Sequence, residues 1–322
     1  AELKDRAIGQ MDALLERFTE VAKSKGVHVH LARDAQHANE IITTIATMSG
    51  ARRVIKSKSM TAEETLLNPY LETKGLEVTE TDLGEWIIQL RNEGPSHMVM
   101  PAIHLSRDQV ADLFTDVTGA RQSNDIEKLV KVARRELRQK FVEADLGISG
   151  ANFAIAQTGT IGLTTNEGNA RLVTTLPRTH IALVGLEKLV PTLKEALAIN
   201  RVLPRNATGQ AITSYVTWIT GATPWGGETD DLHAEKDALK ALHIVFLDNG
   251  RRAVAKDPDF GQVLRCVRCG ACANVCPVYR MVGGHQYGHI YIGAIGLISV
   301  SYTHLTLPTM LAQCRTRSAA GH

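Results

Sequence analysis

Cysteine is scarce in this sequence and unevenly placed. Only five cysteines occur in 322 residues; four of them lie between positions 266 and 276, and the fifth is Cys314. The four lie too close together for a disulfide framework, and the charged first residues lack the apolar stretch of a secretory signal. We therefore interpret the clustered cysteines as ligands of a metal or of an iron–sulfur group.

Long apolar runs and an excess of one charge are also missing. The longest apolar stretch, residues 290–300, is shorter than the ~18–20 residues needed to cross a bilayer. The formal charge is only +2, and Glu136 interrupts the basic run 131–140, which is typical of a solvated helix face and not of a nucleic-acid surface. We expect a cytoplasmic protein with no transmembrane segment and no nucleic-acid partner.

The clustered cysteines follow the spacing C-x2-C-x2-C-x3-C-P, with Cys266, Cys269, Cys272 and Cys276 followed by Pro277. Bacterial-type ferredoxins hold a cubane cluster with this run, and thiolates are soft ligands that suit iron–sulfur groups. Zinc is the competing interpretation, but zinc sites usually pair two separated C-x2-C elements or add histidines. The spacing therefore predicts a 4Fe-4S cluster held by the four thiolates.

Strand-like and helix-like patterns alternate through the first part of the chain. Strands are predicted at residues 27–31, 53–57, 76–79, 97–101, 153–156, 160–164, 171–175, 180–184, 214–219 and 243–247. Helices are predicted at residues 3–21, from Asp34 to 50, from Ser106 onward with Gln109 completing its cap, from Ser123 to 141, and at 187–200. This alternation predicts an α/β fold with an open, mostly parallel sheet, followed by a small ferredoxin-type module.

A serine–lysine segment follows the second predicted strand. Ligands of open α/β sheets bind outside the carboxyl ends of the strands, and a helix N-terminus there offers free N–H groups to an anion. Ser57, Lys58 and Ser59 are therefore candidates for a substrate or anion site. A plain capping turn explains the same residues equally well, and both interpretations stay open.

Acidic residues follow two other predicted strands. Asp82 and Glu85, close to Glu80, are candidates to position a hydroxyl group or to act as a base, although such residues also cap helices. Glu167 is a candidate nucleophile or base. No glycine fingerprint G-x-G-x-x-G follows a strand, so flavin or nicotinamide binding by this chain is not supported.

Several short motifs resemble the lactate utilisation protein B family. They lie at residues 56–60, 80–85, 95–97, 101–104, 158–160, 165–169, 174–177 and 247–250, with the cysteine run to 279 behind them. The resemblance covers residues 1–296 and identifies a LUD domain followed by a 4Fe-4S module. It implies a sheet related to the sugar-isomerase and CoA-transferase group of folds.

The same resemblance implies an electron-transfer subunit in the oxidation of L-lactate to pyruvate. Such a subunit works with two partner proteins, one of them cysteine-rich, and is not active alone. The alternative is an enzyme of acyl or CoA type on the α/β domain, with a structural cluster. Because a glutamate near glycine is the nucleophile of CoA transferases, that alternative favours Glu167, by analogy alone.

The end of the chain departs from the family pattern. Family members continue into a second C-x2-C-x2-C-x3-C-P run and hold two clusters, whereas residues 297–322 contain only Cys314. We expect a LUD-type domain over 1–250, the first half of a cluster module over 251–296, and a tail from 297 that is foreign to the family, as after truncation or a frameshift. At most one cluster is then expected in this chain.

Overall fold

The computed structural model describes residues 1–223, 239–287 and 295–296. In chain order, its strands are β1 (His28–Ala32), β2 (Arg53–Lys56), β3 (Glu77–Glu80), β4 (Leu146–Ser149), β5 (Phe153–Ile155), β6 (Thr160–Thr165), β7 (Thr179–Gly185), β8 (Leu189–Val190), β9 (Tyr215–Thr220) and β10 (Ala241–Leu247). Six of them form one sheet in the order β1-β10-β7-β4-β2-β3, with every neighbouring pair parallel. The predicted mostly parallel sheet is confirmed.

Helices connect and flank these strands. In chain order they are α1 (Glu2–Gly9), α2 (Met11–Lys23), α3 (Ala35–Met48), α4 (Met60–Glu64), α5 (Leu67–Thr73), α6 (Leu83–Leu90), α7 (Arg107–Thr118), α8 (Ile126–Val142), α9 (Asn169–Thr175), α10 (Leu193–Asn200), α11 (Leu203–Thr208), α12 (Arg251–Lys256), α13 (Ala271–Val275) and α14 (Pro277–Tyr287). Among the described stretches, no helix is long and apolar enough to span a bilayer.

The remaining four strands form a second, mixed sheet in the order β8-β5-β6-β9. The β5–β6 and β6–β9 pairs are antiparallel, whereas β5 and β8 are parallel. Because β5 follows β4 after a short connection, this small sheet continues from the middle of the large one. It supplies one wall of the cleft described below.

Apolar side chains cover both faces of the large sheet. β7 is buried along its whole length, as expected for a central parallel strand between two layers of helices. On one face, Phe18 of α2 packs edge-on against Phe246 of β10, with ring centroids 5.1 Å apart. On the other face, Ile42 of α3 and Val245 of β10 belong to one buried cluster. Burying each such side chain stabilises the fold by ~1.5–3 kcal/mol.

Two predicted strands are wrong. Residues 171–175 belong to α9, whose Val173 and Thr174 are buried; their β-branched side chains favour a strand, but tertiary packing overrides that preference. Residues 97–101 form turns, because the Nδ1 atom of His97 accepts hydrogen bonds from backbone N–H groups two and three residues later. The sequence also gave no indication of β4, which lies in the middle of the sheet.

Helix ends were predicted with mixed success. Asp34 caps α3 as predicted, and Ser106 with Gln109 forms the predicted capping box at α7. Asp125, not Ser123, caps α8.

Two predicted helices are interrupted in the structure. The helix predicted at 3–21 is broken at Gln10 into α1 and α2. The one predicted at 187–200 is replaced by the short strand β8 and then α10.

The segment after β10 packs back onto the α/β part of the chain. Residue Arg251, at the start of α12, is 3% exposed and forms ion pairs with Glu64 and Glu187. A 3-10 helix, Gly261–Arg265, then leads into the cysteines. The domain boundary near residue 250 stays a prediction.

Candidate functional site

A cleft of about 530 Å³ lies at the carboxyl ends of β2, β3 and β4. Segments that follow these strands line it, as does the segment after β6 in the second sheet. Polar residues on these segments include Ser57, Lys58, Asp82, Asn152 and Glu167. The cleft therefore lies where an open α/β sheet is expected to bind ligands.

The serine–lysine segment lies on one wall of this cleft. The Ser59 hydroxyl caps α4 by accepting a hydrogen bond from the Ala62 N–H group at 3.2 Å. The Lys58 ammonium donates to the Val99 carbonyl at 2.6 Å and lies 3.8 Å from a carboxylate oxygen of Glu85. The capping interpretation therefore applies to Ser59, while Lys58 brings a positive charge to the cleft.

The acidic candidates take two different positions. Asp82 lines the cleft and caps α6, accepting a hydrogen bond from the Glu85 N–H group at 3.3 Å. Glu85 is 2% exposed and does not line the cleft. Burial, together with the neighbouring Glu80 carboxylate, raises the pKa of Glu85 to about 8. Glu85 is therefore mostly uncharged at neutral pH, which leaves the charge of Lys58 largely uncompensated.

Glu167 lies at the rim of the cleft, opposite the start of α6. Its Oε2 atom accepts a hydrogen bond from the Leu83 N–H group at 3.3 Å. Partial burial and the charge of Asp82 raise the pKa of Glu167 to about 7, and solvent at the exposed rim weakens this effect. A carboxyl group with a pKa near the working pH suits general acid–base chemistry.

Two cationic residues that sequence reasoning missed also line the cleft. Lys188 follows β7 and is 8% exposed; burial and the charge of Arg268 lower its pKa to about 7. Arg268 comes from the cysteine run, together with Val267. The one sequence signal for Lys188 is that a charged residue follows closely after a buried strand.

The four cysteines lie on the segment 266–276, here called the cysteine loop. Cys266 follows the 3-10 helix, Cys272 lies in α13, and Cys276 follows it. The backbone N–H of Arg268 donates to the Cys266 sulfur at 3.3 Å. Burial and the nearby Cys266 and Cys269 raise the pKa of the Cys272 thiol, so these three sulfurs are electrostatic neighbours.

His97 packs directly on the cysteine loop. Gly270 has a φ of +74°, and a Cβ atom there would lie 2.8 Å from the His97 ring. The Nδ1 atom of His97 accepts from the Val99 and Met100 N–H groups, so Nε2 carries the proton. Within residues 1–223 and 239–287, that buried N–H has no partner at full hydrogen-bond geometry, and its nearest polar neighbours are Asn274 and the Gly270 backbone.

These features fit a bound iron–sulfur cluster. The donor set is four soft sulfur atoms in the ferredoxin spacing, and left-handed backbone at Arg268 and Gly270 folds the loop around them. The buried Nε2–H group of His97 lies beside the loop, and a cluster sulfur would accept a hydrogen bond from it.

A chain of buried ion pairs joins the cysteine loop to the α/β core. Arg251 pairs with Glu64 at 2.8 Å and with Glu187 at 2.5 Å, and Glu187 pairs with Arg268 at 2.7 Å. Lys4 of α1 donates to the Glu187 backbone carbonyl. The charges hold the pKa of Glu187 well below its ordinary value in spite of its burial. These ion pairs hold the cysteine loop against the residues that line the cleft.

Comparison with known proteins identifies the class. A LUD domain matches residues 15–247, and a 4Fe-4S dicluster domain matches residues 262–318. The chain therefore belongs to the LUD domain family and carries an iron–sulfur domain of the 4Fe-4S type behind it. The cysteines at 266, 269, 272 and 276 lie in the cluster-binding region. The second match extends into 297–322, which lies outside the described residues, so the foreign origin of that tail stays a prediction.

The chain is also similar in sequence to individual curated proteins. The chain is 44% identical over 298 residues to lactate utilization protein B of Bacillus velezensis, covering 92% of this chain and 61% of that protein. It is 43% identical, with the same coverage, to the uncharacterized electron transport protein YkgF of Escherichia coli. The chain thus spans about 61% of the length of these relatives.

One solved structure is similar in part. It is the crystal structure of a DUF162 family protein from Deinococcus radiodurans, 18% identical to this chain. The match covers 74% of this chain and 98% of that one, with a TM-score of 0.41.

Proposed function

We propose that this chain is the iron–sulfur electron-transfer subunit of a system that oxidises L-lactate to pyruvate. The names of the relatives and the 4Fe-4S domain support this role. The system would include two further subunits, one of them cysteine-rich. The proposal assigns Cys266, Cys269, Cys272 and Cys276 as cluster ligands, Cys276 being the one that binds the other cluster in two-cluster ferredoxins.

One observation carries the proposal: the cysteine loop forms part of the wall of the polar cleft. Val267 and Arg268 line the cleft, and the flanking Cys266 is a ligand candidate. A small anion bound in the cleft would therefore lie beside the cluster. No flavin or nicotinamide fingerprint occurs in the chain, so a partner subunit must supply the acceptor of the hydride.

The cleft residues suit a small hydroxy acid. Oxidation of lactate to pyruvate removes two electrons and two protons, one of them from the hydroxyl group. Lys58, whose charge the mostly protonated Glu85 leaves uncompensated, would bind the carboxylate. Glu167, with its pKa near 7, would accept the hydroxyl proton. When bound, the cluster would carry electrons one at a time away from the partner subunit's hydride acceptor.

The acyl or CoA-type alternative receives less support. A carboxylate nucleophile and a general base must both be ionised, so the pKa of Glu167 fits either role, and it is the names of the relatives that favour lactate oxidation. Reaction with an activated acyl substrate, together with a cluster that stays unchanged on addition of lactate, would favour that alternative.

The test is lactate-dependent dye reduction by the chain co-purified with its two partner subunits. Lys58→Met should raise KM for lactate at least about tenfold, and Glu167→Gln should lower kcat by about 10²–10⁴-fold. Lys194→Met, on the exposed first turn of α10, is the matched control and should leave both constants unchanged. Unaltered kinetics in both cleft variants would contradict the assignment of the cleft.

A further inference from the structure

A second group of potential metal ligands lies outside the cleft and the cysteine loop. Glu93 follows α6, His104 precedes α7, and His285 lies on α14. One ligand atom from each of these three side chains lies within 4.8 Å of the other two. The two imidazole rings meet edge to face, with centroids 4.6 Å apart. The guanidinium of Arg91 forms an ion pair at 2.7 Å with the Oε1 atom of Glu93. The other carboxylate oxygen, Oε2, faces His104.

The hydrogen bonds around His104 accommodate a tautomer whose Nε2 atom is free to bind a metal. In this tautomer the Ser96 hydroxyl donates to the Pro101 carbonyl at 2.8 Å and accepts from the Nδ1–H group of His104, also at 2.8 Å. In the neutral ring, Nε2 is then an unprotonated acceptor. It faces the Oε2 atom of Glu93, a second acceptor, at 2.8 Å. In this tautomer a metal ion bridges the two atoms, whereas in the other tautomer the Nε2–H group donates directly to Glu93.

A hydrogen bond also fixes the tautomer of His285. Its Nε2 atom lies 2.9 Å from the Gly94 carbonyl, which can only accept, so Nε2 carries the proton and Nδ1 is unprotonated. Zinc-binding histidines typically donate their second ring N–H to a carbonyl or another oxygen, which fixes the tautomer and the ring orientation. Both His104 and His285 have such an oxygen partner.

The packing of α14 explains how His285 reaches this position. The Tyr279 hydroxyl donates to the Ser96 carbonyl at 2.8 Å, which anchors the helix on the segment that carries Glu93. Gly284 lies so close that a Cβ atom would be 1.6 Å from the same carbonyl oxygen. Only glycine at 284 therefore allows the adjacent His285 to approach.

We propose that Glu93, His104 and His285 bind one divalent transition-metal ion of the zinc class. Two histidines and one glutamate are an established ligand set for zinc, with a fourth position open to water. Ligand atoms around tetrahedral zinc are about 3.4 Å apart, so His104 and Glu93 would separate by only about 0.6 Å. Because His285 comes from the segment behind the cysteine loop and the other two from the LUD domain, the ion would fasten the cluster module to that domain.

The test uses the full chain after anaerobic cluster reconstitution, titrated with Co²⁺ and followed by its visible absorption. We expect one ion per chain at this site, displaced by Zn²⁺, and a higher Tm with either ion. His104→Ala and His285→Ala should each abolish this binding. Ser96→Ala should weaken it by about 10–100-fold, because the serine only orients His104.

His37→Ala, on the first turn of α3, is the matched control and should bind as the parent chain does. Where an alanine variant fails to fold by circular dichroism, His104→Gln and His285→Asn replace it, because they keep a polar side chain of similar size. Equal Co²⁺ binding in the parent and both histidine variants would overturn the proposal. So would the absence of any binding apart from that of the cysteines, since a hydrogen bond from the Nε2–H group of His104 to Glu93 would then explain the contact.

Discussion

Arg268, in the middle of the cysteine loop, forms an ion pair at 2.7 Å with Glu187, which is 81 residues earlier in the chain and almost completely buried. Arg268 also lines the cleft. A single side chain therefore links the proposed cluster site, the ligand cleft and the buried charges of the α/β core. We expect a change in this pair to disturb the cysteine loop more than the large sheet.

The first prediction concerns this pair. Arg268→Gln should destabilise the chain by about 3 kcal/mol, the lower end of the range for breaking a buried ion pair, because Arg251 still compensates Glu187. Arg265→Gln is the matched control, since the Arg265–Asp5 pair is exposed and should contribute ~0–1 kcal/mol. Urea unfolding measures both. Equal losses in the two variants would show that the buried pair has no special role.

The second prediction concerns a lysine inside the central sheet. Lys56 of β2 is fully buried and lies 2.7 Å from Glu80 of β3; burial opposes its charge, but Glu80 and Glu63 keep its pKa above the ordinary value. Lys56→Met should cost about 3–5 kcal/mol, because the buried Glu80 carboxyl loses its counter-ion and, since burial already raises its pKa, must take up a proton to stay buried. Adding Glu80→Gln should recover part of that loss.

Lys140→Met is the matched control for Lys56→Met. Lys140 also pairs with β3, through Glu77, but that pair is exposed and should contribute ~0–1 kcal/mol. Both variants are compared by their free energies of unfolding in urea. A loss below about 1 kcal/mol for Lys56→Met would contradict the prediction.

Features that depend on the geometry of neighbouring residues were predictable from short sequence patterns. The cysteine spacing is sufficient to indicate an iron–sulfur site, because short gaps alone direct successive sulfurs to one cluster. The parallel sheet follows from the alternation of strands and helices. The sequence also placed Lys58, Asp82 and Glu167 at the ends of strands, and the structure brings all three to one cleft.

Long-range partners were not predictable from the sequence. Lys56 looks like an exposed strand residue until Glu80 is found beside it on the neighbouring strand. His28 and His30 alternate on β1, and the histidine that approaches them is the distant His243, 213 residues from His30, which lies 3.1 Å from its ring. A sequence pattern carries no information about which distant segment will pack against it.

The third prediction follows from those histidines. Burial and the neighbouring His28 and His30 lower the pKa of His243 from 6.5 to about 4. As the pH falls from 6.5 to 4, the unfolded chain takes up a proton on His243 that the folded chain does not, so unfolding becomes easier. Each unit of difference in pKa corresponds to ~1.4 kcal/mol.

The measurement is the free energy of unfolding at several pH values between 6.5 and 4. His243→Gln should lose less stability over this range than the parent chain. The stability of His243→Gln will still depend on pH, because burial also lowers the pKa of His180 to about 3. His37→Gln should retain the full dependence of the parent; an unchanged slope in His243→Gln would contradict the assignment.

The last prediction distinguishes the four cysteines. In two-cluster ferredoxins the fourth cysteine of each run binds the other cluster, and residues 1–322 contain one such run. Cys266, Cys269 and Cys272 are electrostatic neighbours in the structure, as expected for ligands of one cluster. We therefore expect at most one oxygen-sensitive cluster per chain, with Cys276→Ser losing less iron than Cys269→Ser. Iron and sulfide analysis after anaerobic reconstitution decides between these outcomes: two full clusters per chain, or equal losses in the two variants, would contradict this division of the ligands.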